Sequence, residues 1–591
     1  MARTILTGEA VSSGVSVGKA YILAKGHYCL TSVQNIPEEH VTQEVERLQN
    51  AFNEAQQSLE RIKSSVPQEQ QEHAAILDSH IMILRDPKLR RKTESYIRDL
   101  LMSAEWALEK GVDDVEKGFS KVDDEYFQAR ANEIRLLTHR VMSHLSGSSS
   151  SIKPITSRVI LVAHDLTPAD TVELNVSKIM ALVTAQGGKT SHVSIMARSL
   201  EIPAVVGVEN VDTTLRDSDF VIVDGFQGKV VVDPSDEELE HYTNLKYQFE
   251  NYRREIMRHR ELPGESRDGF RIKVMANIEL FEEVRAVLDY GGEGVGLYRT
   301  EYSYLYRHKL PSEEELAEEY SDLASILHPK EVVIRTLDAG GDKIGKGFEQ
   351  LEEPNPALGL RAVRFCLKHR DIFKTQLRAI LQASQYGNIA LMFPMISGLN
   401  ELTEVKSVLE EAKQELRQEG KGFDENMPTG IMIELPSAVM VADLLAKEVD
   451  FFSIGTNDLI QYSLGIDRTN RHVAHLYQPL HPALIRSIKH VVDAGHREGI
   501  DVSMCGEMAV DPYCLPVLLG MRVDNLSLNP QSIPVIKKIM RQLSIEECFD
   551  LLKRILESDS VSQSNQLVKE NVFNRFPDEL LFYSSMLEKS P

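Results

Sequence analysis

Residues 430–434, Gly-Ile-Met-Ile-Glu, and residues 451–455, Phe-Phe-Ser-Ile-Gly, are two short apolar runs separated by an amphipathic helical stretch. Six more runs of this kind recur along the second half of the chain. They occupy residues 274–277, 294–298, 332–335, 390–394, 502–505 and 525–528. Eight strands that alternate with helices over about 300 residues are the pattern of a (β/α)8 barrel. The chemistry of such a barrel collects at the carboxyl ends of its strands.

Arginines follow the predicted strands on that side of the barrel. Arg299 follows the second strand, Arg335 ends the third, Arg361 comes before the fourth and Arg468 comes after the sixth. Guanidinium groups bind phosphate and carboxylate oxygens through paired hydrogen bonds. Any one of these residues alone is better explained as a surface arginine. Their convergence predicts a small substrate that carries two or three negative charges.

Two acidic residues and a cysteine occupy corresponding places. Glu434 ends the fifth predicted strand, and Asp458, beside Asn457, ends the sixth. Two carboxylates with room left for water and substrate oxygens describe a Mg²⁺ site. Cys505 ends the seventh strand, where cationic surroundings would lower the pKa of its thiol and let it exchange a proton with a substrate carbon. Alone, each acid is better explained as an ion-paired core residue and the cysteine as a small buried one. Seven such residues at one end of one barrel favour an active site.

A histidine in the first half of the chain stands at a tight turn. Residues 179–184 predict a buried strand, Gly187 and Gly188 supply a turn without Cβ clashes, and residues 191–198 predict the start of a helix. His192 lies at this helix start, where backbone N–H groups hold an anion and a neutral imidazole is a competent nucleophile. This segment alone fits a phosphoryl acceptor and a structural histidine equally well.

The rest of the first half divides into segments that differ in their predicted secondary structure. A strand-like start is followed by long polar helices, and strand signals return after a serine-rich joint. We therefore expect a multidomain α/β protein, in which a helical bundle is inserted into a small α/β domain and a connecting helix leads to the barrel. The predicted division is residues 1–25 plus 148–233 for the α/β domain, 26–147 for the helical bundle, 234–262 for the linker helix, 263–575 for the barrel and 576–591 for a C-terminal tail.

Composition excludes several classes of function. The chain has 591 residues and a net charge of −23, and an acidic surface argues against nucleic acid as a partner. The chain starts without an apolar stretch of signal-peptide length, and no later window approaches the length of a membrane span. The five cysteines are odd in number and form no C-x-x-C pair. We expect a soluble cytoplasmic protein that binds no membrane and has neither a disulfide framework nor structural zinc.

Two glycine-containing segments imitate nucleotide-binding motifs. Residues 340–347 resemble a P-loop, but Gly347 stands where Mg²⁺ needs Ser or Thr. The glycines of residues 292–296 fall within a predicted strand and not at a helix start, as a dinucleotide fingerprint would require. We therefore expect neither segment to bind a nucleotide.

Six segments of the chain together closely resemble Enzyme I of the bacterial phosphotransferase system, the phosphoenolpyruvate-protein phosphotransferase family. They are residues 187–192 (Gly-Gly-Lys-Thr-Ser-His), 296–301 (Gly-Leu-Tyr-Arg-Thr-Glu), 355–359 (Asn-Pro-Ala-Leu-Gly), 430–434, 451–458 and 504–507 (Met-Cys-Gly-Glu). The resemblance runs essentially from end to end. It implies that a swivelling domain with the phosphohistidine precedes a phosphoenolpyruvate-binding barrel.

The resemblance also implies a role for each candidate residue. His192 would take the phosphoryl group from phosphoenolpyruvate and pass it to a histidine of the carrier protein HPr, as the first step of the phosphotransferase system. Cys505 would protonate the enolate to give pyruvate, and Glu434 with Asp458 would hold Mg²⁺. The helical bundle would dock HPr, and the barrel would form a homodimer. The remaining implied roles are substrate binding by Arg299, Arg335, Arg361, Asn457 and Arg468, support of the phosphoryl group by Gly188, Lys189 and Thr190, and carrier binding by His80 and Met82.

Departures from the family pattern concentrate in the helical bundle. Ser79 stands where glycine is common, Leu136 and Thr138 stand where Asp and Gly are common, and Asn529 replaces a common serine after the eighth strand. The sequence leaves open how these changes affect carrier recognition, and whether the relay serves sugar uptake or regulation. Two alternatives are a phosphohistidine regulatory module with an inactive barrel, and a phosphoenolpyruvate synthase or dikinase-like enzyme that lacks its ATP domain.

Overall fold

The computed structural model describes most of the chain as two compact units, Met1–Phe249 and Glu250–Pro591. The residues it describes are 3–23, 35–65, 81–85, 87–119, 134, 137–138, 140–145, 155, 157–166, 174, 176–188, 192–305, 310–340, 355–468, 470, 472–572, 575–576 and 582. Among them, no helix has both the length and the apolar character that a membrane crossing needs.

The first unit is built on one eight-stranded sheet. Its strands are β1 (Thr4–Thr7), β2 (Glu9–Ser12), β3 (Val15–Leu23), β4 (Val159–Ala163), β5 (Ile179–Thr184), β6 (Ala204–Val206), β7 (Phe220–Asp224) and β8 (Lys229–Val232). They lie in the order β1-β8-β7-β3-β4-β5-β6-β2. Strands β3 to β6 pair in parallel, and antiparallel pairs complete both edges. Strands β4, β5 and β6 consist mostly of Val, Ile, Leu and Ala, and apolar clusters cover them on both faces, as expected for a parallel sheet.

A helical bundle is inserted into this sheet. Its described helices are Val41–Ser65, Pro87–Leu100 and Ala104–Phe119, and they share one apolar core. Strands β3 and β4 flank the bundle in sequence, yet they are hydrogen-bonded neighbours, with Ala20 paired to Ile160. The chain therefore leaves the sheet, forms the bundle and returns to the adjacent position. Three further helices of the chain are His192–Ser199, Val211–Thr214 and Asp236–Met257.

The second unit is a closed barrel of eight parallel strands. They are β9 (Lys273–Ile278), β10 (Gly294–Arg299), β11 (Glu331–Arg335), β12 (Ile389–Phe393), β13 (Thr429–Ile433), β14 (Phe451–Ile454), β15 (Asp501–Met504) and β16 (Asn525–Leu528). Each strand pairs with the next, and β16 pairs with β9 to close the cylinder. Each of the eight apolar runs in the sequence overlaps one of these strands, so the predicted multidomain α/β fold with a (β/α)8 barrel is confirmed.

Helices alternate with the barrel strands. They are Val284–Asp289, Tyr302–Leu305, Glu313–Leu327, Ala362–Lys368, Arg370–Ala383, Leu399–Glu419, Pro436–Met440, Ala442–Leu445, Thr456–Leu464, Pro482–Glu498, Leu515–Met521, Ile533–Met540, Ile545–Leu556 and Val561–Val572. Local signals set their ends. Ser312 forms a capping box with Glu315 at the start of Glu313–Leu327. Gly465, at φ +62°, ends Thr456–Leu464 in the left-handed conformation that glycine adopts without strain.

Side chains fill the barrel, so it is a core and not a pore. Leu297, Met392, Met432, Phe451 and Cys505 belong to one buried cluster on its inner wall. Of the three glycines that imitate a dinucleotide motif, Gly294 and Gly296 lie in strand β10 of this wall, whereas Gly292 precedes the strand, so its predicted place is wrong. A Cβ on Gly296 would stand 2.5 Å from the Ser527 hydroxyl, so glycine is needed there for close packing. Of the P-loop-like segment, only Gly340 lies within the described residues.

Candidate functional site

Polar side chains gather at the carboxyl ends of the barrel strands. Arg299 and Arg335 are the last residues of β10 and β11, while Glu434 and Cys505 follow directly after β13 and β15. Because all eight strands run in the same direction, these residues share one rim of the barrel. The predicted place of Asp458 is wrong in detail: it lies in the first turn of helix Thr456–Leu464, and not at the end of β14.

Three carboxylates form a cluster at this rim. Oxygen atoms of Asp338, Glu434 and Asp458 all lie within 4.8 Å of one another. Glu434 is 1% exposed, and its Oε1 accepts a hydrogen bond from the Met395 backbone N–H at 2.6 Å. Hard oxygen donors at this spacing fit a divalent cation such as Mg²⁺, which prefers carboxylates and water. The sequence predicted two of the three carboxylates; Asp338, three residues beyond β11, was missed.

Two arginines hold Asp338 in this cluster. Arg335 Nη1 lies 2.9 Å from Asp338 Oδ2, and Arg361 Nη2 donates to Asp338 Oδ1 at 2.9 Å. Burial opposes ionisation of Asp338, but the charges of Arg335 and Arg361 outweigh it, so its pKa lies below the usual range. Arg361 Nη2 also reaches Asp458 Oδ2 at 3.4 Å. The arginines and the carboxylates therefore form one continuous network.

The pKa of Glu434 is shifted in the opposite direction to that of Asp338. Its burial, together with the negative charges of Asp338 and Asp458, raises its pKa well above the usual range, and Arg335 offsets this only in part. A carboxyl group held this way carries a charge most readily when a cation lies beside it. The cluster is therefore a place where a divalent cation would relieve electrostatic repulsion.

Arg335 is the most enclosed of the four candidate substrate-binding arginines, at 8% exposure. Its Nη2 donates to Glu301 Oε1 at 2.8 Å, and the same oxygen accepts from the Asp338 backbone N–H at 2.9 Å. Its Nε has no hydrogen-bond partner among the described residues, although it is buried. An unpaired buried N–H is costly, so this donor calls for an explanation. The role of Glu301, which lies two residues beyond β10, was also missed in the sequence.

The other predicted substrate-binding residues line the same rim. Arg299 Nη1 donates to Glu279. Asn457 Oδ1 accepts from the Glu507 backbone N–H at 2.9 Å, and Arg468 Nη1 lies 3.5 Å from Glu507 Oε1. Glu507 thus connects Asn457 to Arg468. Asn529, the departure in the last loop, caps the turn after β16 by accepting from the Ser532 backbone N–H at 3.0 Å.

Cys505 is 3% exposed and is held by three hydrogen bonds to two residues, Ile454 and Asn277. Its Sγ donates to the Ile454 carbonyl at 3.6 Å, its backbone N–H donates to the same carbonyl at 3.1 Å, and its own carbonyl accepts from Asn277 Nδ2 at 3.0 Å. Burial raises the pKa of its thiol, and the nearby Arg335 and Arg299 do not compensate. The expectation that cationic surroundings would lower this pKa is therefore wrong. The buried thiol keeps its proton, which suits a proton donor.

Gly506 allows the chain beyond Cys505 to pass close to the start of helix Thr456–Leu464. A Cβ at this position would lie 1.8 Å from Thr456 Oγ1 and 2.8 Å from the Thr456 backbone nitrogen. We expect Gly506→Ala to lower the free energy of unfolding by about 1–3 kcal/mol through overpacking, and to shift Cys505. Thermal unfolding measures the first effect. Gly398→Ala is the matched control, because no atom lies within 4 Å of the added Cβ; equal stability losses in both variants would contradict this packing.

The predicted histidine segment lies in the first unit. Strand β5 ends at Thr184, Gly187 adopts φ +115°, and a helix begins at His192, close to the predicted boundaries. Ser194 Oγ donates to the Gly188 carbonyl at 2.7 Å and so ties the turn to the helix. Lys189 and Thr190 lie outside the described residues, and of His192 only the backbone is described. The helix start is the place that the sequence indicated for an anion.

The predicted carrier-binding residues belong to the helical bundle. Met82 is 61% exposed, so its side chain is accessible at the bundle surface. His80, Ser79 and Leu136 lie outside the described residues. Thr138 is buried, and its hydroxyl donates to the Ile134 carbonyl at 2.7 Å.

Comparison with known proteins gives matches over nearly the whole chain. Three family models match in succession: the N-terminal domain of PEP-utilising enzymes over residues 7–130, their mobile domain over 155–228 and their PEP-binding domain over 253–545. A curated relative from Listeria innocua, named phosphoenolpyruvate-protein phosphotransferase, is 40% identical over 567 residues, covering 96% of this chain and 99% of the relative.

Two further relatives carry the same name. The protein from Priestia megaterium is 42% identical over 566 residues, covering 95% of this chain and 98% of the relative. That from Haemophilus influenzae is 39% identical over 568 residues, covering 96% and 99%.

Proposed function

Because this chain belongs to the phosphoenolpyruvate-protein phosphotransferase family, we propose that it transfers the phosphoryl group of phosphoenolpyruvate to its own His192 and then to a histidine of the carrier HPr. Pyruvate is released, and the reaction is the first step of the phosphotransferase system. The observation that carries this proposal is the network of arginines and carboxylates at the barrel mouth, where the strand that precedes Cys505 also places a buried thiol. The regulatory module with an inactive barrel and the synthase or dikinase-like enzyme are not favoured.

The substrate would bind to the arginine side chains of the network. Phosphoenolpyruvate has a phosphate and a carboxylate, and the planar guanidinium fork matches both groups. Arg335 offers its buried Nε, and Arg361 and Arg299 extend the positive surface along the rim. Asn457 and Arg468, joined through Glu507, would close the other side. These donors are in place before substrate arrives, so little reorganisation is needed when charge develops.

The carboxylate cluster would hold Mg²⁺ through Glu434 and Asp458, with Asp338 as a third ligand or as the anchor of the arginines. Mutual spacing within 4.8 Å and the raised pKa of Glu434 both support a cation at this place. When bound, Mg²⁺ would withdraw negative charge from the phosphoryl and enolate oxygens. Arg361 donates to both Asp338 and Asp458, so it would fix the position of the substrate relative to the cation.

Cys505 would act after the phosphoryl group has left. Loss of that group leaves an enolate, which must gain a proton at its methylene carbon to become pyruvate. A buried thiol with a raised pKa holds this proton until a strong base is presented to it. The hydrogen bond from Asn277 to the Cys505 carbonyl would hold the backbone of this residue in place.

His192 would accept the phosphoryl group at a helix start. Free backbone N–H groups and the helix dipole favour negative charge there. Gly188 and Lys189 would steady the arriving group, and Thr190 would orient the imidazole. Since one histidine has to meet both the barrel and the carrier, the proposal requires a swivelling movement of its domain.

The remaining assignments complete the proposal. HPr would dock on the bundle through His80 and the exposed Met82, the barrel would form a homodimer, and the protein would work in the cytoplasm in sugar transport. The domains would be residues 1–25 plus 148–233 for the phosphohistidine domain, 26–147 for carrier docking, 234–262 for the linker, 263–575 for the barrel and 576–591 for the tail.

Transfer of label from radioactive phosphoenolpyruvate tests the proposed function. With Mg²⁺ present, we expect acid-labile label on the protein together with one pyruvate released for each label bound. Label that passes on to added HPr would identify the acceptor. Binding of phosphoenolpyruvate without pyruvate release would instead support the regulatory module.

Replacement of Cys505 by serine tests the proton donor. A hydroxyl is a far weaker acid than a thiol, so we expect turnover to fall about a hundredfold while binding of phosphoenolpyruvate changes little. Steady-state pyruvate release provides kcat and KM. Cys548→Ser is the matched control, because Cys548 is equally buried but lies in helix Ile545–Leu556. Unchanged turnover in Cys505→Ser would remove the proton-transfer role.

A further inference from the structure

Ser453 occupies an interior position on the sixth barrel strand. It follows Phe451 by two residues in β14, and alternate residues of a strand face the same side. Phe451 belongs to the inner-wall cluster that also contains Cys505. Ser453 is 1% exposed, so its hydroxyl is enclosed within the barrel on the strand next to Cys505.

This hydroxyl has no hydrogen-bond partner among the described residues. A buried hydroxyl without a partner costs roughly 1–3 kcal/mol relative to one that is paired. An apolar side chain of similar size would avoid that cost. An unpaired polar group in a core therefore requires an explanation.

The neighbouring thiol explains why the hydroxyl is unpaired. Cys505 Sγ donates its hydrogen to the Ile454 carbonyl at 3.6 Å, so that hydrogen is not offered to Ser453. A neutral thiol sulfur is also a weak acceptor. In the protonated state of Cys505, the two side chains lie side by side without a strong hydrogen bond.

Proton transfer from Cys505 allows a strong hydrogen bond to form between the two side chains. The S–H bond of Cys505 breaks, the proton forms a C–H bond with the methylene carbon of the enolate, and the enolate electrons restore the pyruvate carbonyl. The electron pair of the broken S–H bond stays on sulfur as a thiolate. A thiolate is a strong acceptor, and an O–H directed at it forms a charge-assisted hydrogen bond.

We propose that Ser453 is a positioning residue for this reaction, whose hydroxyl donates a hydrogen bond to the thiolate left on Cys505 after the enolate is protonated. The interaction exists only once charge appears on sulfur, so it lowers the barrier without tightening the binding of phosphoenolpyruvate. This inference rests on the proposed function, because it needs Cys505 as the proton donor.

The electrostatics of the thiol agree with this geometry. Burial raises the pKa of Cys505, and the Ser453 hydroxyl is the strongest of the influences that lower it, ahead of Arg335. The backbone of Cys505 is also held firmly by Ile454 and Asn277, and Asn277 is held in turn by Ser527 Oγ at 2.6 Å.

Steady-state pyruvate release by the full-length protein, with Mg²⁺ and HPr in excess, tests the inference. We expect Ser453→Ala to lower kcat by about 10- to 100-fold, the range for a hydrogen bond to a charged group, and to leave KM for phosphoenolpyruvate within about twofold. The solvent deuterium isotope effect on kcat should rise, because proton transfer becomes slower. Ser503→Ala is the matched control: its hydroxyl is on β15 and already accepts from Asn525 Nδ2 at 3.0 Å.

A double-mutant cycle separates this role from a structural one. In a Cys505→Ser background no thiolate forms, so Ser453→Ala should have no further effect on kcat. An equal loss in both backgrounds, or an unchanged kcat in Ser453→Ala alone, would overturn the inference. If the unmutated protein releases no pyruvate, the proposed function itself has failed, and the two failures are thereby distinguished.

Discussion

Replacement of His192 by alanine abolishes transfer of label from phosphoenolpyruvate to the protein, while binding of phosphoenolpyruvate persists. The expected loss is complete, because the proposed function assigns the covalent intermediate between barrel and carrier to His192. Binding persists because all the candidate substrate-binding residues belong to the second unit, Glu250–Pro591, and His192 belongs to the first. Acid-labile label and calorimetric binding measure the two properties on the same preparation.

His164→Ala is the matched control for this experiment. His164 follows β4, the parallel neighbour of β5, and its ring contacts Asp212 Oδ2 at 2.9 Å. We expect this variant to accept label as the unmutated protein does. Loss of phosphoenolpyruvate binding in His192→Ala would contradict the division of labour between the two units. Label retained in His192→Ala would place the acceptor elsewhere.

Replacement of Glu434 by glutamine should lower the rate of pyruvate release on the order of a thousandfold. A bound cation contributes several kcal/mol to charge stabilisation, and each ~1.4 kcal/mol is a factor of ten in rate. Glutamine has the shape of the neutral acid and keeps an oxygen for the Met395 N–H. Since the pKa of Glu434 is raised, the neutral side chain should leave the unfolding temperature unchanged or higher.

Metal binding and activity should therefore be lost without loss of the fold. Electron paramagnetic resonance of bound Mn²⁺ measures metal binding, and pyruvate release measures activity. Glu331→Gln provides the control, because Glu331 begins β11 at the opposite end of the barrel and pairs with Lys273 at 3.7 Å. Normal Mn²⁺ binding in Glu434→Gln would remove Glu434 from the set of metal ligands.

The barrel could be predicted from the sequence because its signal is local. A parallel strand covered on both faces is a short apolar run, and helices between such runs have a different period, so both are visible in any window of the chain. The same rule predicted Arg299, Arg335, Glu434 and Cys505 as neighbours, since the ends of parallel strands meet at one rim. The signal for the helix start at His192 was also local, because two neighbouring glycines provide it.

The parts that the sequence missed depend on contacts between distant segments. Asp338 joins the carboxylate cluster because the chain beyond β11 brings it to Arg361, 23 residues later. Nothing in the local pattern around Asp338 distinguishes it from a solvent-exposed acid. Asp458 was predicted at a strand end but lies one helical turn beyond, because β14 ends at Ile454.

The sequence by itself determined the order of the elements, the barrel and the chemical types present at its mouth, because periodicity and residue type are properties of neighbouring positions. The tertiary structure alone decided the charge states and the partners. Burial of Cys505 raises a pKa that its cationic neighbours were expected to lower, and enclosure of Ser453 leaves its hydroxyl unpaired beside that thiol. Desolvation depends on everything packed around a group, which segments distant in the chain supply.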